Sequence, residues 1–151
     1  MDIKDDSLAC SLARATAVNI QRYYSNKMIE LRGRNDPEEK LQIAKDAMEN
    51  SCLEFDKYSK VSEYGKMRYQ DMRRHKNEPH VKILKSGSKV NEEMSHNCKK
   101  IIASFGDHMA HKLSKGGLAY HIHNEMAEHL GVCLEEKQKT DLWKSKNCLK
   151  Y

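Results

Sequence analysis

Residues 36–75 read DPEEKLQIAKDAMENSCLEFDKYSKVSEYGKMRYQDMRRH. Asp36 stands where a side chain can cap free backbone N–H groups, Pro37 suits the first helical position, and Glu39 falls where it can return a bond to the cap. Behind this start, Leu41, Ala44, Met48, Cys52, Phe55 and Tyr58 recur at three- and four-residue steps, the period of a helix with one apolar face. Run unbroken to His75, that helix would be about 57 Å long at ~1.5 Å per residue, more than a compact domain of this size spans. Gly65, which costs about 1 kcal/mol inside a helix, is the expected break. From Lys76 to Ser88 no helical period continues, and Pro79 and Gly87 mark a long loop.

The flanks read in the same way. Asp5, Asp6 or Ser7 can cap a first helix that presents Leu8, Leu12, Ala15, Thr16, Tyr23, Met28 and Leu31 and ends at Gly33. A third helix, capped near Ser86 or Ser88, presents Val90, Met94, Cys98, Ile101, Ile102, Phe105, Met109 and Leu113 and closes at Lys115-Gly116-Gly117. The fourth presents Leu118, Ile122, Met126, Leu130 and Cys133. A last amphipathic piece carries Leu134, Leu142, Trp143 and Leu149. The expected fold is all-α: a bundle of four or five helices in a single domain, 1–151, with a long basic loop between helices 2 and 3.

Composition agrees with that expectation. Hydrophobic residues are 38% and charged residues 32%, against usual values of about 45 to 50% and about 25%. The core is therefore thin, and the supply of Leu, Ala, Glu, Lys and Met favours helices over sheets. At 151 residues the chain can bury roughly two-thirds of its unfolded surface without a disulfide or a metal. Its five cysteines are odd in number, widely spaced and without a CxxC pair, which is the pattern of free thiols in a reducing, cytoplasmic compartment. The acidic start Met1-Asp2-Ile3-Lys4-Asp5-Asp6 resembles no secretory signal, although export by a route that needs none stays open. No apolar run approaches the ~20 residues of a membrane span.

Charge is unevenly placed. Residues 64–89 hold eight basic and two acidic side chains, enough to account for the net charge of +5. Arg68, Arg73, Arg74, Lys76, Lys82, Lys85 and Lys89, with Tyr64 and Tyr69 among them, are candidates for binding a polyanion or a protein partner. An anionic membrane surface would meet the same charges. A solvated linker kept soluble by its lysines is the plainer reading of the segment.

All eight histidines fall between residues 75 and 129. His121, Glu125 and His129 are spaced to form one stripe on a helix, and His108 and His111 could face it, so these three are the candidate metal ligands. The same stripe flanks an apolar face, where histidines commonly pair with a neighbouring glutamate. Glu93-x-x-His96 resembles half of a di-iron motif, but the second half and its carboxylates are missing.

Met126-Ala127-Glu128-His129-Leu130-Gly131-Val132 resembles the first helix and turn of a helix-turn-helix DNA-binding unit. The likeness implies a following recognition helix with apolar residues about five and eight places beyond Val132. Those places hold Lys137 and Thr140, and the helix would open on Glu135 and Glu136, which repel phosphates, so the resemblance stops after seven residues. No Gly-x-Ser-x-Gly, phosphate-binding loop, dinucleotide fingerprint or His-Glu-x-x-His is present.

The expected function is that of a non-enzymatic interaction protein without a cofactor: an adaptor, chaperone or regulator. It would contact a protein partner through an apolar helix face rich in methionine or through residues 64–89. Nucleic-acid binding through the same basic segment is the second reading, and a metal-binding helical protein the third.

Overall fold

The computed structural model describes residues 1–33, 36–74, 78–116 and 119–137 and, of Arg74, Ala119 and Tyr120, the backbone alone. Two helices come first, α1 (Asp6–Glu30) and α2 (Pro37–Asn50), then three strands, β1 (Tyr58–Glu63), β2 (Lys66–Asp71) and β3 (Val81–Lys85), then α3 (Ser88–Ser114) and α4 (Ala119–Leu130). The strands form one antiparallel sheet in the order β2-β1-β3. The fold is thus mixed α/β, and the expected all-α helical bundle is corrected by this sheet. Within the expected loop from Lys76 to Ser88, residues Val81–Lys85 form strand β3.

The start of α2 is as the sequence indicates: Asp36 Oδ1 accepts the Glu38 N–H at 3.0 Å, and Pro37 opens the helix. Its end is not. Ser51 caps α2 and turns its hydroxyl back to the Met48 carbonyl at 2.7 Å. Cys52 and Phe55 are buried in the connection that follows. Apolar residues at 52, 55 and 58 satisfy a three-residue step without requiring a helix, because a turn that packs on the core buries the same side chains.

Beyond Tyr58 the burial alternates, with Ser59 and Val61 inward on β1 and Tyr69 inward on β2. A helix through these residues would carry Ser62 and Lys66 onto its apolar face. The hairpin turns at Tyr64-Gly65, both at positive φ (+50° and +79°), the pair of left-handed conformations that a two-residue hairpin turn with right-handed twist demands. Gly65 is therefore the pivot of the hairpin rather than a break in a helix. The register runs from Tyr58 opposite Asp71 to Glu63 opposite Lys66. On its other side β1 pairs with β3, Glu63 opposite Val81 and Lys60 opposite Lys85, with a register shift at Lys60/Val61.

α3 follows its sequence pattern closely, burying Val90, Met94, Cys98, Ile101, Phe105, Met109 and Leu113. Its cap differs from expectation: Gly87, at φ +77°, takes the position, while the Ser86 hydroxyl lies 2.9 Å from that of Ser59. The central element is α1. Leu8, Leu12, Ala13, Ala15, Ala17 and Ile20 enter the main core, and Ala9 is buried as well. Residues of α1, α2, β2, α3 and α4 meet in one apolar cluster.

Two disulfides join distant parts of the chain, Cys10–Cys133 and Cys52–Cys98, with Cα atoms 4.7 and 5.5 Å apart. The expectation of five free thiols is corrected for these four, so the cysteines no longer point to a reducing compartment. Spacing along the chain could not reveal the pairs, since only the packing of α1 against α4, and of the end of α2 against α3, brings the sulfurs together. Cys148, Lys76, Thr140, Leu142, Trp143 and Leu149 lie outside the described residues. Among the described residues no helix is long and apolar enough to cross a membrane.

Candidate functional site

The basic segment is built on the sheet, which sorts its charges into two kinds. Some are committed to carboxylates. Arg68 donates to Glu63 Oε2 at 2.6 Å and, through Nε and Nη2, to Gln70 Oε1. Arg73 forks onto Asp71, with 2.6 Å from Nη2 to Oδ2. Lys66 is ion-paired with Glu135. The hydrogen bond from Arg68, with its charge and that of His80 beside it, holds the Glu63 carboxyl below the usual carboxylate range.

The others stand free. Lys82, Lys85 and Lys89 are exposed and make no ion pair among the described residues. Lys85 lies opposite Lys60 in the ladder, but Lys60 sends its ammonium to Glu93 on α3 at 3.4 Å, leaving Lys85 to face solvent. Of the seven candidate residues, then, Arg68 and Arg73 are engaged within the sheet and Lys82, Lys85 and Lys89 are presented outward. The Arg74 side chain and Lys76 lie outside the described residues.

The two edges of the sheet differ. The outer edge of β2 runs against α1, where Tyr69 donates its backbone N–H to Ser11 Oγ at 2.8 Å. β3 forms the opposite edge and pairs only with β1 among the described residues. It is exposed on both faces: Ile83 and Leu84, neighbours that point to opposite sides, are 55% and 49% exposed. The chain thus offers an open edge with two apolar side chains set between lysines. At the near end of the sheet Tyr64 stacks on His80, ring centroids 5.0 Å apart, and His80 also meets Glu63 at 3.0 Å and Glu78 at 3.5 Å.

Two members of the histidine stripe make contacts between α4 and α3. Glu125 accepts an ion pair from Lys112 at 2.6 Å. The His129 ring stacks on Phe105, with centroids 4.1 Å apart. His121 is exposed on the same helix. The structure therefore spends two of the three candidates on ties between α4 and α3.

Two other groups bring potential ligand atoms within 4.8 Å of one another: Glu63, Glu78 and His80, and Cys10, His123 and Cys133. In the first, Glu63 is already engaged by Arg68. In the second, His123 Nε2 stands 3.6 Å from Cys133 Sγ beside the disulfide. Burial, and next the Arg14 charge, press its imidazole toward the neutral form. Sequence reasoning missed this group because its members lie on α1, on α4 and beyond α4, with no short-range spacing to join them. The chain matches no protein-family model and no curated protein.

Proposed function

We propose that this chain is a non-enzymatic interaction protein that receives an acidic, extended segment of a partner protein along the open edge of β3. The observation that carries the reading is that edge: Ile83 and Leu84 exposed on opposite faces, flanked by Lys82 and Lys85. A strand added there would gain main-chain hydrogen bonds, while its alternate side chains meet Ile83 on one face and Leu84 on the other. Carboxylates on the incoming strand would complement the lysines, and Lys89 extends the charge to the start of α3. A second copy is a poorer occupant. Two chains paired along β3 would gather four lysines, 82 and 85 from each, in one ladder, and like charges on facing strands are destabilising. The same lysines guard the edge against indiscriminate pairing.

The test uses synthetic peptides in which valine alternates with glutamate or, as the control, with lysine. At about 50 mM salt the glutamate peptide is expected to bind the full chain and the lysine peptide not. Lys82→Glu with Lys85→Glu, or Ile83→Ser with Leu84→Ser, should abolish binding while unfolding stability stays within about 0.5 kcal/mol, because the four side chains are exposed. Arg73 is left unchanged because a glutamate there would confront Asp71. Failure of the glutamate peptide to bind, or binding that survives the charge reversal, overturns the reading. So does binding of arbitrary oligonucleotides with a steep loss between about 50 and 200 mM salt, which would assign the lysines to phosphates.

A further inference from the structure

Cys10 lies early in α1 and Cys133 just beyond α4, 123 residues later, while His123 projects from α4 into the same place. We propose that reduction of this disulfide turns Cys10, Cys133 and His123 into a three-ligand site for zinc, with its fourth position open to the adjoining cleft. Disulfide and metal would then exclude one another.

The ligand class fits the ion. Two thiolates and an imidazole form the borderline-soft set that zinc prefers, and three protein ligands leave one tetrahedral position for water or a carboxylate. The distances fit as well. With Zn–S near 2.3 Å and Zn–N near 2.0 Å, tetrahedral geometry sets thiolate and imidazole ligands about 3.5 Å apart and two thiolates about 3.8 Å apart. His123 Nε2 already stands 3.6 Å from Cys133 Sγ. Once the bond between the sulfurs is broken, they need only move apart by side-chain rotation.

The chain segments stay together without the disulfide. Asp6 accepts the N–H groups of Leu134 and Glu135 at 3.3 and 3.5 Å, Arg14 grips Glu136 with contacts of 2.9 and 2.7 Å, and Lys66 pairs with Glu135. None of these ties uses sulfur, so reduction leaves Cys133 held against Cys10. A cleft of about 190 Å³ reaches both cysteines and is lined by Asp6, Glu135 and Glu136 among others, giving ion and reductant a way in and carboxylates close to the vacant position. The other disulfide has no such surroundings: Cys52 and Cys98 lie in the core beside the hydroxyls of Ser51 and Thr16.

The chemistry balances in two steps. A small-molecule or protein dithiol supplies two electrons and two protons to the Cys10–Cys133 bond and leaves as its own disulfide. Zinc then displaces both thiol protons, which pass to solvent, and is held by two thiolates and the neutral imidazole.

The experiment compares the full chain before and after treatment with a phosphine reductant, measuring zinc uptake against a chromophoric chelator and the absorption of the cobalt(II) form. The reduced chain is expected to take one zinc and to show thiolate-to-cobalt charge transfer, and the oxidised chain neither. Cys10→Ser and Cys133→Ser should lose the site. His123→Ala should weaken it by more than the about 10–100-fold that loss of an outer-shell partner costs. If the cysteine variants fail to fold, His123→Ala decides, since that side chain is only half-buried. Equal uptake by the oxidised chain, no uptake by the reduced chain, or unchanged affinity in His123→Ala overturns the proposal.

Discussion

Gly106 sits inside α3 without the positive φ that explains most of the other glycines. Its reason is space: a Cβ added there would lie 2.8 Å from Ile102 Cγ2 and 3.8 Å from Met48 Cβ, so α2 crosses α3 where a side chain is missing. Replacing a helix-interior glycine with alanine ordinarily gains about 1 kcal/mol. Here the new methyl meets a β-branched side chain, whose χ1 a helix holds stiffly, and overpacking a filled site costs about 1–3 kcal/mol. Gly106→Ala is accordingly expected to lower the thermal midpoint, as calorimetry of the pure variant would read. A rise would mean that Ile102 has room to turn. The glycine is visible in the sequence, but its role is not, because nothing near it in the chain names Met48 as a neighbour.

At the scale of elements, the hairpin of β1 and β2 is tied by side chains as well as by its ladder. Glu63 accepts from Arg68 at 2.6 Å, and its carboxyl titrates below its ordinary value near 4.5. A folded-state value below the unfolded one means that the folded chain binds fewer protons. The contribution is therefore fully present above about pH 4.5 and is lost as pH falls through the folded value. Glu63→Gln should lower the melting temperature modestly through the neutral range and flatten its fall with pH below about 4.5, so that the two curves converge in acid. An unaltered acid limb would show that the pair adds nothing to stability. β1 and β2 also show why residues 58–63 and 66–71 do not continue the helix that their spacing suggests. Three-residue spacing at Cys52, Phe55 and Tyr58 served a turn as well as a helix. Past Tyr58, the decisive signals were Val61 and Tyr69 on alternating inward positions and a glycine placed for a hairpin turn. Strand pairing is a long-range choice, so six residues with a single buried aliphatic, Val61, declare it weakly.

For the whole molecule, the disulfides matter through the loops that they close, with separations of 46 and 123 residues. By chain entropy alone the shorter loop stabilises the fold by roughly 4 kcal/mol. A Cys52→Ala, Cys98→Ala chain is expected to lose about that much in denaturant unfolding while keeping its far-ultraviolet spectrum. A loss well under 1 kcal/mol would mean that the core already holds α2 and α3 in place. The open edge of β3 and the Cys10–Cys133–His123 group also belong to this scale, since each is made by elements far apart in the chain.

The sequence alone determined what local physical chemistry decides. α3 was legible from its apolar period, α2 from the Asp36-Pro37 start, and the gathering of positive charge in residues 64–89 from composition. The helical period repeats within a few residues, and a cap acts on its own first turn, so both are written locally. Only the tertiary structure decided that residues 58–63, 66–71 and 81–85 pair as strands, that Arg68 and Arg73 spend their charge on carboxylates of the sheet, and that Lys82, Lys85 and Lys89 do not. It also placed Cys10 against Cys133 and His123. Each of these outcomes depends on which surfaces meet across the fold, where burial, pairing and charge are settled between residues that share no pattern along the chain.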